Sequence, residues 1–297
     1  MKTLRLNTYT CWLLLALVVP VGAQEVPATA TQHSLWKIEG PRSTAYLLGS
    51  IHVLKAENYP LPVPIEAAFS NAQIAVFETD MSKLEQPETQ KSIMLKAQLP
   101  EGQTLRQQLS TNLYSRFSQQ VEDLGLPGTV FDQLKPSVAA MTLEVLALQK
   151  LGFDPEYGID RHFFNRARKA GKQIVPLESV DFQIDLITQF SREEGELLMK
   201  TTLDDLDNTR KVFGDLLKAW QIGDTAKLQD LLHDAMRETP TLAKRLVTDR
   251  NERWVPKIDQ LLQQDKNAII IVGAGHVVGT NGVVALLKKK GLKVTQQ

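Results

Sequence analysis

The two ends of this chain both read as strand-forming, and that most constrains its fold. Near the start, "LWKIEG" (35–40) and "AYLLGSIH" (45–52) read as strands joined at Gly40-Pro41, a hairpin signal. Near the end, an apolar run at 267–273, a helical pattern at 281–290 and a short strand at 292–295 form a β-α-β sequence. The simplest arrangement lets both ends share one sheet. The remaining pattern is mostly helical. It predicts helices over 62–72, 137–151 and 158–172, with short strands at 73–80 and 173–179. Leu105, Leu109, Leu113, Phe117, Val121 and Leu124 recur every three or four residues and predict one helical stretch from Thr104. Residues 181–264 read as almost entirely helical, with Asp224 and Thr225 offering a cap between two helices. The predicted fold class is α/β: one mixed central sheet built from both chain ends, with a large helical insertion at about 181–264, in one domain over 34–297.

Residues 1–23 read as an address label. Lys2 and Arg5 precede an apolar core at 11–19, and Val21-Gly22-Ala23 has the small residues a signal peptidase accepts. The apolar run is shorter than the roughly 20 residues a membrane span needs. Cleavage after Ala23 would leave a polar tail, 24–33, expected to be disordered. The expected location is periplasmic or secreted, with no stable membrane span after cleavage. Cys11 is the only cysteine and lies inside this signal. The mature chain therefore offers no disulfide, thiolate zinc site or catalytic cysteine.

Charge excludes another class. Lys plus Arg and Asp plus Glu number 34 each, so no global charge invites nucleic acid or an anionic membrane. The run Lys288-Lys289-Lys290 reads as a solvated helix end, where cations suit the helix dipole. No sequence feature fixes the oligomeric state.

The chemistry concentrates at two similar corners. An apolar strand ends in Gly49-Ser50-Ile51-His52, and another ends in Gly273-Ala274-Gly275-His276. A dinucleotide-binding turn is a poor fit to the second: Val278 stands where the third glycine belongs, and the remaining chain is too short for such a unit. Each Gly-x-x-His instead combines a strand that fixes direction, a glycine that permits a tight turn, and an imidazole at the strand's carboxyl end. Open α/β sheets place their sites outside such ends, so neighbouring strands would bring His52 and His276 together.

Two imidazoles ask for carboxylates. Glu78 closes "IAVFETD" and Glu178 closes "IVPLES", both at strand ends. Asp160 opens a helix after Tyr157-Gly158 and suits either a cap or a site residue. Arg250 and Asn251 in "TDRNERW" read either as a surface pair or as donors to a substrate oxyanion. A hydrolytic metal centre would use histidine and carboxylate ligands and keep one position open for water.

At these residues the chain resembles the TraB/GumN family, which is similar to the TIKI metalloproteases and shares the fold of the ChaN/erythromycin-esterase-like proteins. The marks are the two Gly-x-x-His motifs, "FETD", "YGID", "PLES", "RNERW" and the closing "VGAGHVVGTNGVVALLKKKGLKV". One departure is Ser50, where threonine often follows the glycine; the hydroxyl is kept. The resemblance implies an exported, metal-dependent hydrolase, a peptidase, acting on a peptide or small-molecule substrate. Its divalent metal would be manganese, cobalt or zinc, held by His52, His276 and Glu78 or Asp160. Glu78 or Glu178 would serve as base, and Arg250 or Asn251 as oxyanion donor. The alternatives are a haem- or metal-binding protein, with Tyr157 as a candidate haem ligand, and a protein that sequesters a peptide signal without turnover.

Overall fold

A computed structural model describes residues 32–206, 209–236 and 239–297. The predicted signal 1–23 and the tail up to residue 31 lie outside the described residues. Of the predicted tail, His33 is buried and its N–H donates to the Gln297 carbonyl. The described residues form two compact units. A sheet unit takes residues up to 80, 153–179 and those after 208; a helical unit takes 81–152 and 180–206. The helical residues between 181 and 264 thus divide between the two.

The fold is α/β, with a six-stranded mixed sheet in the sheet unit. Its strands are β1 (Leu35–Glu39), β2 (Thr44–Ser50), β3 (Ile74–Phe77), β4 (Gln173–Pro176), β5 (Ala268–Gly273) and β6 (Lys293–Gln296), in the order β4-β3-β5-β2-β1-β6. β4, β3, β5 and β2 run parallel, and β1 is antiparallel to both β2 and β6. Both ends of the chain do share one sheet. The central β5, AIIIVG, is buried at every residue, as a parallel strand covered on both faces must be.

The two faces are covered by different helices. On one, Trp254, Ile258 and Leu262 of the helix Asp249–Leu262 project at four-residue spacing and pack with Leu47, Val76, Ile270 and Val272. Trp254 is fully buried, and truncating a side chain of that size costs about 3–5 kcal/mol. On the other face, Phe69 of the helix Val63–Asn71 meets Phe163 of the helix Ile159–Lys169 at 4.8 Å. Phe77 meets Phe164 edge-on at 5.2 Å. Ahead of Asp249–Leu262, one π-helical turn spans Lys244–Thr248.

In the helical unit the helix Pro136–Lys150 is buried on most of its surface, as its sequence predicts. The predicted stretch from Thr104 is two helices, Leu105–Gln108 and Thr111–Asp123, because Leu109 and Ser110 are extended. The apolar spacing survives the break, since Leu105, Leu109, Leu113, Phe117 and Val121 enter one core. Capping signals are obeyed elsewhere: the Asp224 carboxylate accepts from the Lys227 N–H at 2.9 Å. Lys290, just past the helix Val283–Lys289, pairs with Asp259 at 2.8 Å. Among the described residues, no helix is long and apolar enough to cross a membrane.

Candidate functional site

The four parallel strands end in the same direction, and each end carries one of the singled-out residues. His52 follows β2, Glu78 follows β3, Glu178 follows β4 and His276 follows β5. Pairing continues past the strands: the Leu177 N–H donates to the Phe77 carbonyl and the Glu178 N–H to the Glu78 carbonyl, both at 2.8 Å. That extension sets the two glutamates side by side. Arg250 and Asn251 enter from the first turn of Asp249–Leu262, and Asp160 from the first turn of Ile159–Lys169.

Arg250 is the hub. Its Nε donates to both Glu178 oxygens, at 3.1 and 3.0 Å, and Nη2 donates to Glu178 at 2.9 Å and to Glu78. Nη1 donates to the Leu246 carbonyl at 3.1 Å and to His276 Nε2 at 3.0 Å. A guanidinium has five N–H donors, and here all five face protein acceptors. The Leu246 carbonyl belongs to the π turn. The guanidinium also lies 4.8 Å from the Trp254 ring. Burial opposes its charge, but Glu78 and Glu178 outweigh that and raise its pKa further.

His276 is locked in one tautomer. Its Nδ1 donates to Asn251 Oδ1 at 2.7 Å, because the Asn251 amide nitrogen is itself donating to the His276 carbonyl (3.2 Å) and the Asn281 carbonyl (2.8 Å). Its Nε2 therefore accepts from Arg250. Trp254 packs on the ring at 4.4 Å. Burial, then the neighbouring guanidinium, push its pKa down to about 3, so the ring is neutral.

His52 has the opposite setting. Asp160 accepts from the Ser50 hydroxyl at 2.8 Å through Oδ1 and faces His52 Nδ1 at 2.7 Å through Oδ2. Burial works against charge on His52, but the Asp160 carboxylate overcomes it and the pKa rises to about 9. Nε2 then carries a proton at neutral pH, facing away from Asp160. Glu78 is half-buried, which favours its neutral form. Arg250 foremost, with both histidines and the Gly273 N–H (2.8 Å to Oε1), reverses this and lowers its pKa to about 2.

Glycines let these groups approach. A Cβ on Gly273 would stand 2.9 Å from His52 Nε2 and 3.5 Å from Glu78 Oε1, so the two reactive atoms flank the bare Cα. A Cβ on Gly158 would stand 2.2 Å from the His52 carbonyl oxygen. Gly158 thereby lets the Asp160 helix start against the β2 corner, where the Ile159 N–H donates to the Ile51 carbonyl at 3.0 Å. Gly273→Ala is expected to push the His52 ring aside and to lower stability by about 1–3 kcal/mol, the ordinary range for overpacking. Thermal melting checks this; an unchanged melting temperature would mean that the site yields to the added methyl group at no cost.

A cavity of about 740 Å³ adjoins the β5 corner. Its walls include Gly275, Val278 and Asn281 of the corner loop, Val247 and Thr248 of the π turn, and Leu232.

A profile of the TraB/PrgY/gumN family matches residues 34–296, nearly all of the described chain. The chain belongs to the TraB/PrgY/gumN family. It is similar to YbaP of Escherichia coli (strain K12), 24% identical over 82% of this chain and 87% of YbaP. It is also similar to Metalloprotease TIKI1 of Homo sapiens, 24% identical over 88% of this chain, and to that of Danio rerio, 23% identical over 96%. This chain covers only 61% of the human protein and 68% of the fish one. No solved structure matches.

The divalent metal that those relatives' name implies would need free donors at this site. His276 Nε2 and Glu78 Oε1 stand 4.0 Å apart, near the limit that one ion with bonds of about 2.1 Å could span. The His276 lone pair, however, already accepts from Arg250, and both Asp160 oxygens serve Ser50 and His52. Among the described residues, no three His, Cys, Asp or Glu are grouped to hold a metal ion. As arranged, the donor set does not fit a metal.

The structure brings all seven candidate residues into one network, with a division of labour the sequence did not show. Asn251 and Arg250 spend their donors on protein groups, so neither offers one to an oxyanion. Asp160 stands behind His52 rather than beside Glu78. Tyr157 is exposed and His162 lies with Tyr59 and Arg166. Sequence reasoning missed Trp254, which supports both Arg250 and His276. Its position four residues after Arg250, on the same helix face, was the available signal.

Proposed function

We propose that this protein is a hydrolase of peptide bonds in which His52, held by Asp160, is the proton donor and Glu78 orients the attacking water. The observation that carries this is the placing of His52 and Glu78 at Gly273, where a Cβ would stand 2.9 Å from His52 Nε2 and 3.5 Å from Glu78 Oε1, with Asp160 holding the imidazole protonated and Arg250 holding the carboxylate ionised. Groups whose environments push their pKa values apart in one site suit acid and base roles at one pH. Glu78, its pKa lowered to about 2, is a weak base: it fixes the water and takes the proton released as the water oxygen bonds the carbonyl carbon, and that proton passes to His52 after His52 has protonated the amine. His52 Nε2 gives its proton to the departing amine as the C–N bond breaks. Arg250, Asn251 and Trp254 hold Glu78 and His276 in place. The cavity beside the β5 corner, apolar at Leu232, Val247 and Val278, takes a substrate side chain.

The relatives named metalloproteases support hydrolysis, and the peptide substrate is carried over from that name. Residues 1–23 support export to the periplasm or beyond, where no nucleotide cofactor is at hand. The metal-dependent form of this reading, with manganese, cobalt or zinc on His52, Glu78 and His276, requires Arg250 first to leave His276 Nε2. Haem or metal carriage on His52 predicts binding that strengthens as His52 loses its proton, and peptide sequestration without turnover predicts a protein indifferent to that loss.

A mixed peptide library, read by mass spectrometry before and after incubation, tests the proposal with wild type, His52→Ala and Glu78→Gln. Cleavage by wild type and its loss in both variants is the expected result. On a cleaved peptide, kcat/KM should be flat through neutrality and fall about tenfold per pH unit above pH 9, as His52 loses the proton it donates. A rate that instead rises through pH 9 would make His52 a base and overturn the assignment.

A further inference from the structure

We infer that Arg250 is the resident cation of this site, occupying the place a divalent metal would take, and that the protein works with that place filled by its own side chain. The inference deepens the hydrolase reading and rests on it for the word "works"; the occupancy itself stands on geometry. Glu78, Glu178 and His276 Nε2 all aim at one guanidinium, with separations between 2.9 and 3.1 Å to Glu178 and His276. Two carboxylates and one neutral imidazole are hard and borderline donors of the kind a first-row divalent ion selects. A nitrogen lone pair accepts one proton donor or one metal, never both. Arg250 is 2% exposed and anchored from the backbone by Leu246, so it does not swing out without breaking the π turn's contact.

One guanidinium offsets one of the two carboxylates and leaves that group at −1, with the His52–Asp160 pair internally compensated. Adding a divalent ion beside the guanidinium would put two cations on the same three acceptors. Removing the guanidinium would leave two anions and a freed imidazole lone pair, which is a metal site. Metal and Arg250 therefore compete for one place, and the side chain holds it.

The test is cobalt binding to full-length mature wild type, Arg250→Met and His276→Gln, each dialysed against chelator and then against buffer. Bound metal is read by mass spectrometry and by visible cobalt absorption. Wild type should hold less than a tenth of an equivalent, and Arg250→Met close to one, with at least tenfold higher affinity and a cobalt-dependent rise in Tm. A stoichiometric ion in wild type that is lost in His276→Gln would overturn the inference. So would an Arg250→Met protein that folds but takes up no more cobalt than wild type. If Arg250→Met does not fold, the wild-type and His276→Gln arms decide alone. Peptide cleavage by the dialysed wild type is scored separately. Absence of cleavage without bound metal removes the hydrolase reading and leaves the occupancy standing; cleavage with stoichiometric metal does the reverse.

Discussion

Asp160→Asn is expected to lower kcat/KM for peptide hydrolysis by roughly 10³–10⁴-fold, the scale seen when the carboxylate behind a catalytic imidazole becomes an amide. The carboxylate does two things to His52: it fixes Nδ1 as the donor toward Oδ2 at 2.7 Å and it supplies the charge that lifts the ring's pKa to about 9. An amide keeps the shape and loses both. Burial then acts on the ring unopposed by its main partner, and the ring gives up its proton below neutrality. The surviving activity should show its alkaline limb moved from about pH 9 to near or below pH 6.5, which mere loosening of the fold would not produce. Because the two residues act as one unit, the double variant His52→Ala, Asp160→Asn should be no slower than His52→Ala alone. The measurement is a pH series of kcat/KM on the cleaved library peptide. Retention within tenfold of wild type, with the alkaline limb still near pH 9, would mean the dyad is not the engine of hydrolysis.

The placement of these residues was legible in the sequence because strand ends announce themselves. An apolar run that closes in glycine and histidine, or in glutamate, leaves little choice about where the polar residue emerges. Parallel pairing then puts the four ends on one edge. The allocation of partners was not legible. Nothing in "TDRNERW" says that Arg250 turns inward to meet two glutamates, since an arginine beside an aspartate and a glutamate reads equally as solvated. The π turn at Lys244–Thr248 has no signature either, being a one-residue slip of hydrogen-bond register, and the side chain that donates to its Leu246 carbonyl is Arg250, whose inward turn is itself not written in the sequence. The break at Ser110 was hidden for a different reason. Apolar spacing reports which residues reach the core, and both flanking helices reach the same core. Local backbone conformation at Leu109 and Ser110 leaves that spacing intact.

The sheet unit is expected to be most stable near pH 6.5 and to lose stability on both sides of it. On the alkaline side the cause is His52. Its folded pKa of about 9 lies above its ordinary 6.5, so its contribution is full below pH 6.5 and disappears as pH rises through 9. That shift corresponds to roughly 3 kcal/mol at 1.36 kcal/mol per unit. On the acid side there are two causes with the same sign. His276, held neutral to about pH 3, resists a proton that the unfolded chain accepts below 6.5. Glu78, ionised down to about pH 2, loses its advantage as the unfolded carboxyl protonates below 4.5. The His276 part alone is roughly 5 kcal/mol between pH 6.5 and 3. The helical unit runs differently: burial raises Glu144 to about 8 and Asp205 to about 7, so that unit weakens as pH climbs from about 4 to 8. The two are separable by probe. After removal of residues 1–23 the tryptophans are Trp36, Trp220 and Trp254, all in the sheet unit. Tryptophan fluorescence melts from pH 4 to 10 should therefore trace the sheet unit's maximum near pH 6.5. Tm should fall by on the order of 5–10 °C toward pH 9.5 and further toward pH 4. His52→Gln should flatten the alkaline fall and spare the acid one, while His276→Gln should do the opposite. A melt profile that stays flat from 6.5 to 9.5 in wild type would mean that Asp160 does not hold the His52 proton, and the acid assigned to hydrolysis would have to be sought elsewhere on the strand-end rim.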